Sequence, residues 1–164
     1  MLSNSLASAF PIGPTIGITI CLSVILSFIA VIDVKTLRIP DALSLPLVFA
    51  GLALAYAGPD VRAMDHVIGA ALAFALFAGL GEVYYRMRAV DGLGLGDAKL
   101  FAAAGAWLGW QNLPLVLLIA TLSGLAQALV LRRARRDTQL AFGPWIAFGF
   151  WTVWIWLCWI GVAS

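Results

Sequence analysis

Charge is what this sequence lacks most. Asp, Glu, Lys and Arg make up 11% of its 164 residues, while 63% are hydrophobic. A typical soluble domain is about 25% charged and about 45–50% apolar. An ordinary water-soluble fold is therefore excluded. So is intrinsic disorder, which needs low hydrophobicity and high charge. Histidine occurs once, as His66, so no histidine metal site and no Ser-His-Asp set can be assembled. Cysteine occurs twice, at Cys21 and Cys158, each alone in an apolar stretch. With no C-x-x-C, neither a zinc site nor a disulfide framework is indicated, and both read as bilayer-buried thiols. There is no P-loop and no dinucleotide fingerprint. A net charge of +2 is too small to point to nucleic acid. Met1 to Pro11 hold no Lys or Arg, which argues against a secretory signal peptide.

What is present is a series of apolar runs. Ile12 to Ile32 is 21 residues, roughly 31 Å as a helix and enough to cross a bilayer. Further spans are expected at about Ala42–Ala57, His66–Tyr85, Leu115–Leu131 and Pro144–Val162. The run Leu100 to Trp110 has only 11 residues and would reach roughly 17 Å. That helix must recruit part of the preceding Gly-rich segment or begin at membrane depth, which draws Asp97 toward the bilayer. The expectation is an all-α, polytopic membrane protein of about six transmembrane helices, with residues 1–164 forming one domain. Most of the tryptophans fall in the last span, where they serve either as interfacial anchors or as mid-helix packing.

Orientation follows from the loops. Lys35, Arg38, Arg86, Arg88, Lys99 and the arginines at 132, 133, 135 and 136 fall in connections 1–2, 3–4 and 5–6, leaving Arg62 alone on the other side. By the positive-inside rule those three loops are cytoplasmic, and both termini lie outside the cytoplasm.

An acid in a transmembrane helix costs about 2.5–3.5 kcal/mol at the centre and less near the ends, so each acid needs a reason. Asp60 and Asp65 read as solvated around Arg62, and Asp137 as a loose partner of the arginine cluster. Asp41 reads as an N-cap, Asp91 as a loop ion pair, and Glu82 as an i,i+4 partner of Arg86. His66 reads as sitting at an interfacial helix start. Asp33 and Asp97 are different. Asp33 follows an unbroken apolar run at the cytoplasmic end of the first helix, and Asp97 enters the fourth helix from the same side. The plain alternative is that Asp33 pairs with a loop lysine and Asp97 caps its helix. Gly92, Gly94 and Gly96 alternate just before Asp97. Glycine there permits close approach of a substrate backbone or a neighbouring helix.

Two aspartates within a few ångströms cannot both ionise easily, so they hold one proton between them and titrate as a unit. The ionised partner can take a proton from a bridging water, while the protonated one polarises a peptide carbonyl. That is peptide hydrolysis by general acid–base catalysis.

Gly94-Leu95-Gly96-Asp97-Ala98-Lys99-Leu100, with Gly105 and Gly109 beyond it, resembles the G-x-G-D-x-K-L…G-x-x-x-G block of the type IV prepilin peptidases, which are intramembrane aspartyl proteases. Ile32-Asp33 with Ile39-Pro40-Asp41 resembles the first block of that family, and Phe142-Gly143-Pro144 its F-G-P block. The resemblance implies Asp33 and Asp97 as the catalytic pair, with Gly94, Gly96, Lys99 and Pro40 as supporting motif members and no cofactor or metal. It implies a prepilin or pseudopilin substrate, cut at the cytoplasmic face of the inner membrane after a short basic leader. Lys99 either biases the proton-sharing or, more plainly, points to lipid headgroups.

Larger members of the family carry an N-terminal cytoplasmic region, often with paired C-x-x-C, associated with N-methylation of the trimmed pilin. Here the first helix begins near Ile12 and the first loop is short, so methyltransferase activity is not expected. The likeness is to the short peptidases of tight-adherence (Flp-type) pilus systems, with archaeal preflagellin peptidases as another option. A non-enzymatic membrane protein, either a proton-coupled carrier or a pilus assembly subunit, stands as the rival reading, since intramembrane acids also mark ion pathways.

Overall fold

The computed structural model describes residues 12–58, 62–88, 94–132 and 141–163. The sequence readings of Asp60, Asp91, Gly92, Asp137 and the arginines at 133, 135 and 136 fall outside them. Within them the chain forms six helices: α1 (Ile12–Thr36), α2 (Asp41–Ala57), α3 (Ala63–Arg88), α4 (Leu95–Leu108), α5 (Leu113–Arg132) and α6 (Gly143–Ala163). A short 3₁₀ turn, Trp110–Asn112, joins α4 to α5.

The apolar runs become helices largely where expected, and the ends have local causes. α1 does not stop at Ile32. It continues one more turn, so Asp33 lies inside the helix and not after it. Leu37 ends it in the left-handed region at φ 53, with its N–H on the Asp33 carbonyl at 2.8 Å. Pro40 then takes the N-cap position of α2 with φ −70 and ψ 133. Asp41 is the first helical residue and makes no cap. α4 begins at Leu95, so the short apolar run does recruit the end of the Gly-rich segment. It stops at Gly109, whose φ of +76 favours a residue without a Cβ.

α4 is the hub. Every residue from Leu100 to Leu108 is buried, and α2, α3 and α6 all pack on it. α1 and α5 join the bundle chiefly through α6. The tightest crossing pairs Gly69 of α3 with Gly105 of α4. A Cβ on Gly69 would lie 2.6 Å from the Gly105 carbonyl oxygen, and one on Gly105 would strike the Gly69 carbonyl. Helices without a hydrophobic drive between them associate through such close backbone contact.

The outer surface carries long runs of exposed apolar side chains. Ile16, Ile20, Val24, Phe28 and Val31 form one exposed stripe on α1. Ile68, Leu72, Leu76 and Leu80 form another on α3, and Leu118, Leu122, Leu125 and Leu129 a third on α5. Soluble monomers do not present contiguous apolar surface on this scale. The chain is a membrane protein. α1, α3 and α5 are the helices long and apolar enough to cross a bilayer, while the described apolar parts of α2 and α6 are shorter. α4, the shortest helix, is lined by protein on its buried face and needs no full lipid span.

Indole N–H groups in an apolar medium need partners, and they find them between helices. Trp107 donates to the Leu47 carbonyl at 2.7 Å, Trp145 to Gln127 at 2.7 Å, Trp151 to Ser23 at 2.7 Å and Trp154 to Thr19 at 3.0 Å. The last helix uses Trp145, Trp151 and Trp154 as inter-helix fasteners. At the end of the bundle where α3 starts, His66 falls at the helix start as expected, and the reading of Asp65 is corrected. His66 is buried, with Nδ1 2.9 Å from the Ala106 carbonyl oxygen. Asp65 is not merely solvated: it accepts from Trp110 Nε1 at 3.2 Å and Gln111 Nε2 at 3.0 Å, fixing the 3₁₀ turn onto α3. Both partners lie more than 40 residues along the chain, out of reach of local pattern.

Candidate active site

The two unexplained aspartates meet at the opposite end of the bundle. Asp33, in the last turns of α1, and Asp97, in the first turn of α4, line one cavity of about 290 Å³ together with Leu37, Ile39, Asp41 and Lys99. Asp33 is 4% exposed, and Asp97 is partly buried.

The plain alternatives for both residues are not what the structure shows. Asp97 is not a cap. Gly94 occupies the N-cap of α4 without a side-chain hydrogen bond, and Asp97 follows three residues later. Asp33 pairs with no described lysine. Its Oδ2 accepts the backbone N–H of Gly143 at 3.1 Å. Gly143 is the first residue of α6, where unpaired N–H groups and the helix dipole favour an anion or a hydrogen-bond acceptor. α1, α4 and α6 thus converge, two supplying carboxyls and one a backbone donor.

Small residues make the convergence possible. A Cβ on Gly143 would lie 2.6 Å from Asp33 Oδ2 and 3.0 Å from Ile39 Cδ1. A Cβ on Gly96 would lie 2.9 Å from Ile39 Cβ. Ile39, only 7% exposed, is wedged between the two glycines and so sets the spacing between the starts of α4 and α6. Gly96 therefore admits the α1–α2 connection against α4. Gly94 has no such crowding: a Cβ there meets nothing nearer than 3.8 Å. Gly143 and Ile39 were not singled out by residue type. They lie in the F-G-P and I-P-D blocks, which was the available signal.

Pro40 has a local role. Its carbonyl accepts the N–H groups of Leu43 at 3.1 Å and Ser44 at 3.3 Å, opening α2 directly after Ile39. Lys99 does not point to headgroups. Its Nζ lies 2.5 Å from Asp41 Oδ1, with the lysine side chain 23% exposed. This pair ties the first turn of α4 to the start of α2 along the rim of the aspartate cavity. Glu82 and Arg86 form the expected i,i+4 pair at 2.8 Å.

Comparison with known proteins follows the same residues. Residues 20–129, which include Asp33 and Asp97, match the profile described as the type IV leader peptidase family. The chain is 45% identical over 135 residues to the prepilin leader peptidase/N-methyltransferase of Pectobacterium carotovorum subsp. carotovorum, covering 77% of this chain and 47% of that protein. It is 44% identical over 126 residues to the protein of the same name from Escherichia coli (strain K12), covering 74% and 55%. With the one from Aeromonas hydrophila it shares 35% identity over 157 residues, covering 93% and 54%. The chain spans about half the length of the curated relatives it matches. No solved structure matches it.

Proposed function

The chain belongs to the type IV leader peptidase family, and from that premise we propose that it is an intramembrane aspartic endopeptidase that removes the leader from type IV prepilins or pseudopilins. The observation that carries the reading is that Asp33 and Asp97, from helices far apart in sequence, line one cavity. In this reading the pair shares one proton and holds a water between its carboxyls. The ionised carboxylate takes a proton from the water as its oxygen attacks the scissile carbonyl carbon. The protonated carboxyl hydrogen-bonds the carbonyl oxygen and stabilises the charge that develops there. A proton is then delivered to the leaving nitrogen, the C–N bond breaks, and one acid and one amine terminus result. The Gly143 N–H on Asp33 Oδ2 holds one oxygen of that residue, leaving the other for the water.

The site sits at one end of the bundle. Asp33 lies three residues before the end of α1 and Asp97 in the first turn of α4. A carrier needs acids near the midplane, so this placement supports hydrolysis over the carrier reading. The positive-inside rule supports a reading in which that end faces the cytoplasm at an inner membrane, the chain crosses several times as one peptidase unit, and both termini lie outside the cytoplasm. Incubating the purified protein in detergent with a prepilin should shorten the prepilin N-terminus by the leader mass. Asp33→Ala and Asp97→Ala should each abolish that shift, and full cleavage by either variant would overturn the assignment.

A further inference from the structure

The aspartate cavity has a neighbour with which it shares two lining residues, Gly94 and Leu95. Across the first turn of α4 lies a second cavity of about 330 Å³, whose lining includes Phe77, Ala78, Glu82 and Tyr85 of α3 together with Gly94 and Leu95. Gly94 and Leu95 also line the aspartate cavity, so the two spaces meet over the start of α4. For a peptide lying across Asp33 and Asp97, this turn is all that separates it from the second cavity. The absence of a side chain at Gly94, where a Cβ would meet no crowding, keeps that barrier low.

The lining has a definite chemistry. Phe77, Ala78 and Leu95 supply apolar wall, Glu82 supplies an acidic group, and Tyr85 also lines the space. Such a lining suits a side chain with an aliphatic stem and a cationic head, which buries the stem and keeps the charge at a polar rim. Among the described residues Glu82 is held only by Arg86 of its own helix, at 2.8 Å, with the two side chains 57% and 76% exposed. An exposed pair of this kind is weak, so an incoming cation can replace Arg86 at little cost. We propose that the second cavity is the subsite for a lysine or arginine of the substrate peptide, with Glu82 as its acidic receptor. The proposal rests on the peptidase reading and adds to it the residue that reads substrate charge.

The test uses the whole protein in detergent and two synthetic precursors, one with a lysine-bearing leader and one with glutamine in place of lysine. Wild type should cleave the lysine precursor with the lower KM, by about threefold to fivefold, the worth of one partly exposed ion pair. Glu82→Gln should raise that KM to the glutamine precursor's value. Arg86→Gln, which frees the carboxylate, should lower it. A structural role for the pair would instead make both variants change alike, and that result overturns the inference. So does a lysine preference that survives Glu82→Gln, since cleavage then stands without this receptor. Failure of wild type to cut either precursor removes the peptidase reading itself.

Discussion

Asp33 is positioned from two sides, by its own helix and by the N–H that begins α6. The Gly143 N–H lies 3.1 Å from Oδ2, and a methyl on Gly143 would lie 2.6 Å from that same oxygen. Gly143→Ala is therefore expected to displace the Asp33 carboxyl and to lower the turnover of a prepilin by at least about tenfold. Misplacement of a reacting group by about 1 Å can cost on the order of a hundredfold. A cleavage time course beside a thermal melt checks this, and an unchanged rate would show that the contact does not position the acid. The pair also predicts a pH profile. Activity should be greatest where the two carboxyls hold one proton. It should fall on the acid side as a second proton is added, and on the alkaline side as the last is lost. A rate that changes in one direction only across the whole range would contradict proton sharing. Both aspartates were visible in the sequence because a carboxylate beside an apolar run demands a reason. The Gly143 donor was not, because backbone N–H groups leave no mark in residue type and this one lies 110 residues from Asp33.

At the scale of the elements, the site depends on helix crossings that tolerate no side chain. Gly69 and Gly105 bring α3 and α4 into backbone contact, and α4 carries Asp97. Gly105→Val should destabilise the protein by about 1–3 kcal/mol, the usual cost of overpacking, read as a lower melting temperature in detergent. A melt equal to wild type would mean the crossing is looser than described. The helix order was legible from apolar run lengths, which also showed the fourth run to be too short but left open whether it recruits the Gly-rich segment or begins at membrane depth. The ends were less so. α1 runs one turn past Ile32 because Asp33 satisfies itself on α6 and Leu37, at φ 53, closes the helix. Asp41 was misread as a cap because a local rule could not foresee Lys99, 58 residues away. That pair yields its own expectation. Lys99→Ala should loosen the start of α4 and reduce cleavage, with Asp41→Ala giving a similar loss. Strongly different losses would show that Lys99 acts beyond its tie to Asp41.

For the molecule as a whole, an apolar exterior and a polar end define how it sits and what it can reach. The exposed apolar stripes on α1, α3 and α5 suit lipid contact, and in the proposed peptidase the aspartates, beside the positive loops, would hydrolyse the peptide near the aqueous face. Single cysteines placed near Arg38 and near Arg62, in a background without Cys21 and Cys158, should label from opposite sides of sealed vesicles. Labelling of both from one side would undo the topology. The central claim is narrower than topology: Asp33 and Asp97 act as one device. Cleavage of a prepilin by Asp33→Asn, Asp97→Asn and the double variant, scored together by mass spectrometry, tests it most directly. The account predicts that each single change costs about as much as both, since paired catalytic groups are not additive. If either single variant keeps most of its activity, or if the two losses multiply in the double variant, the carboxyls work separately and the account fails.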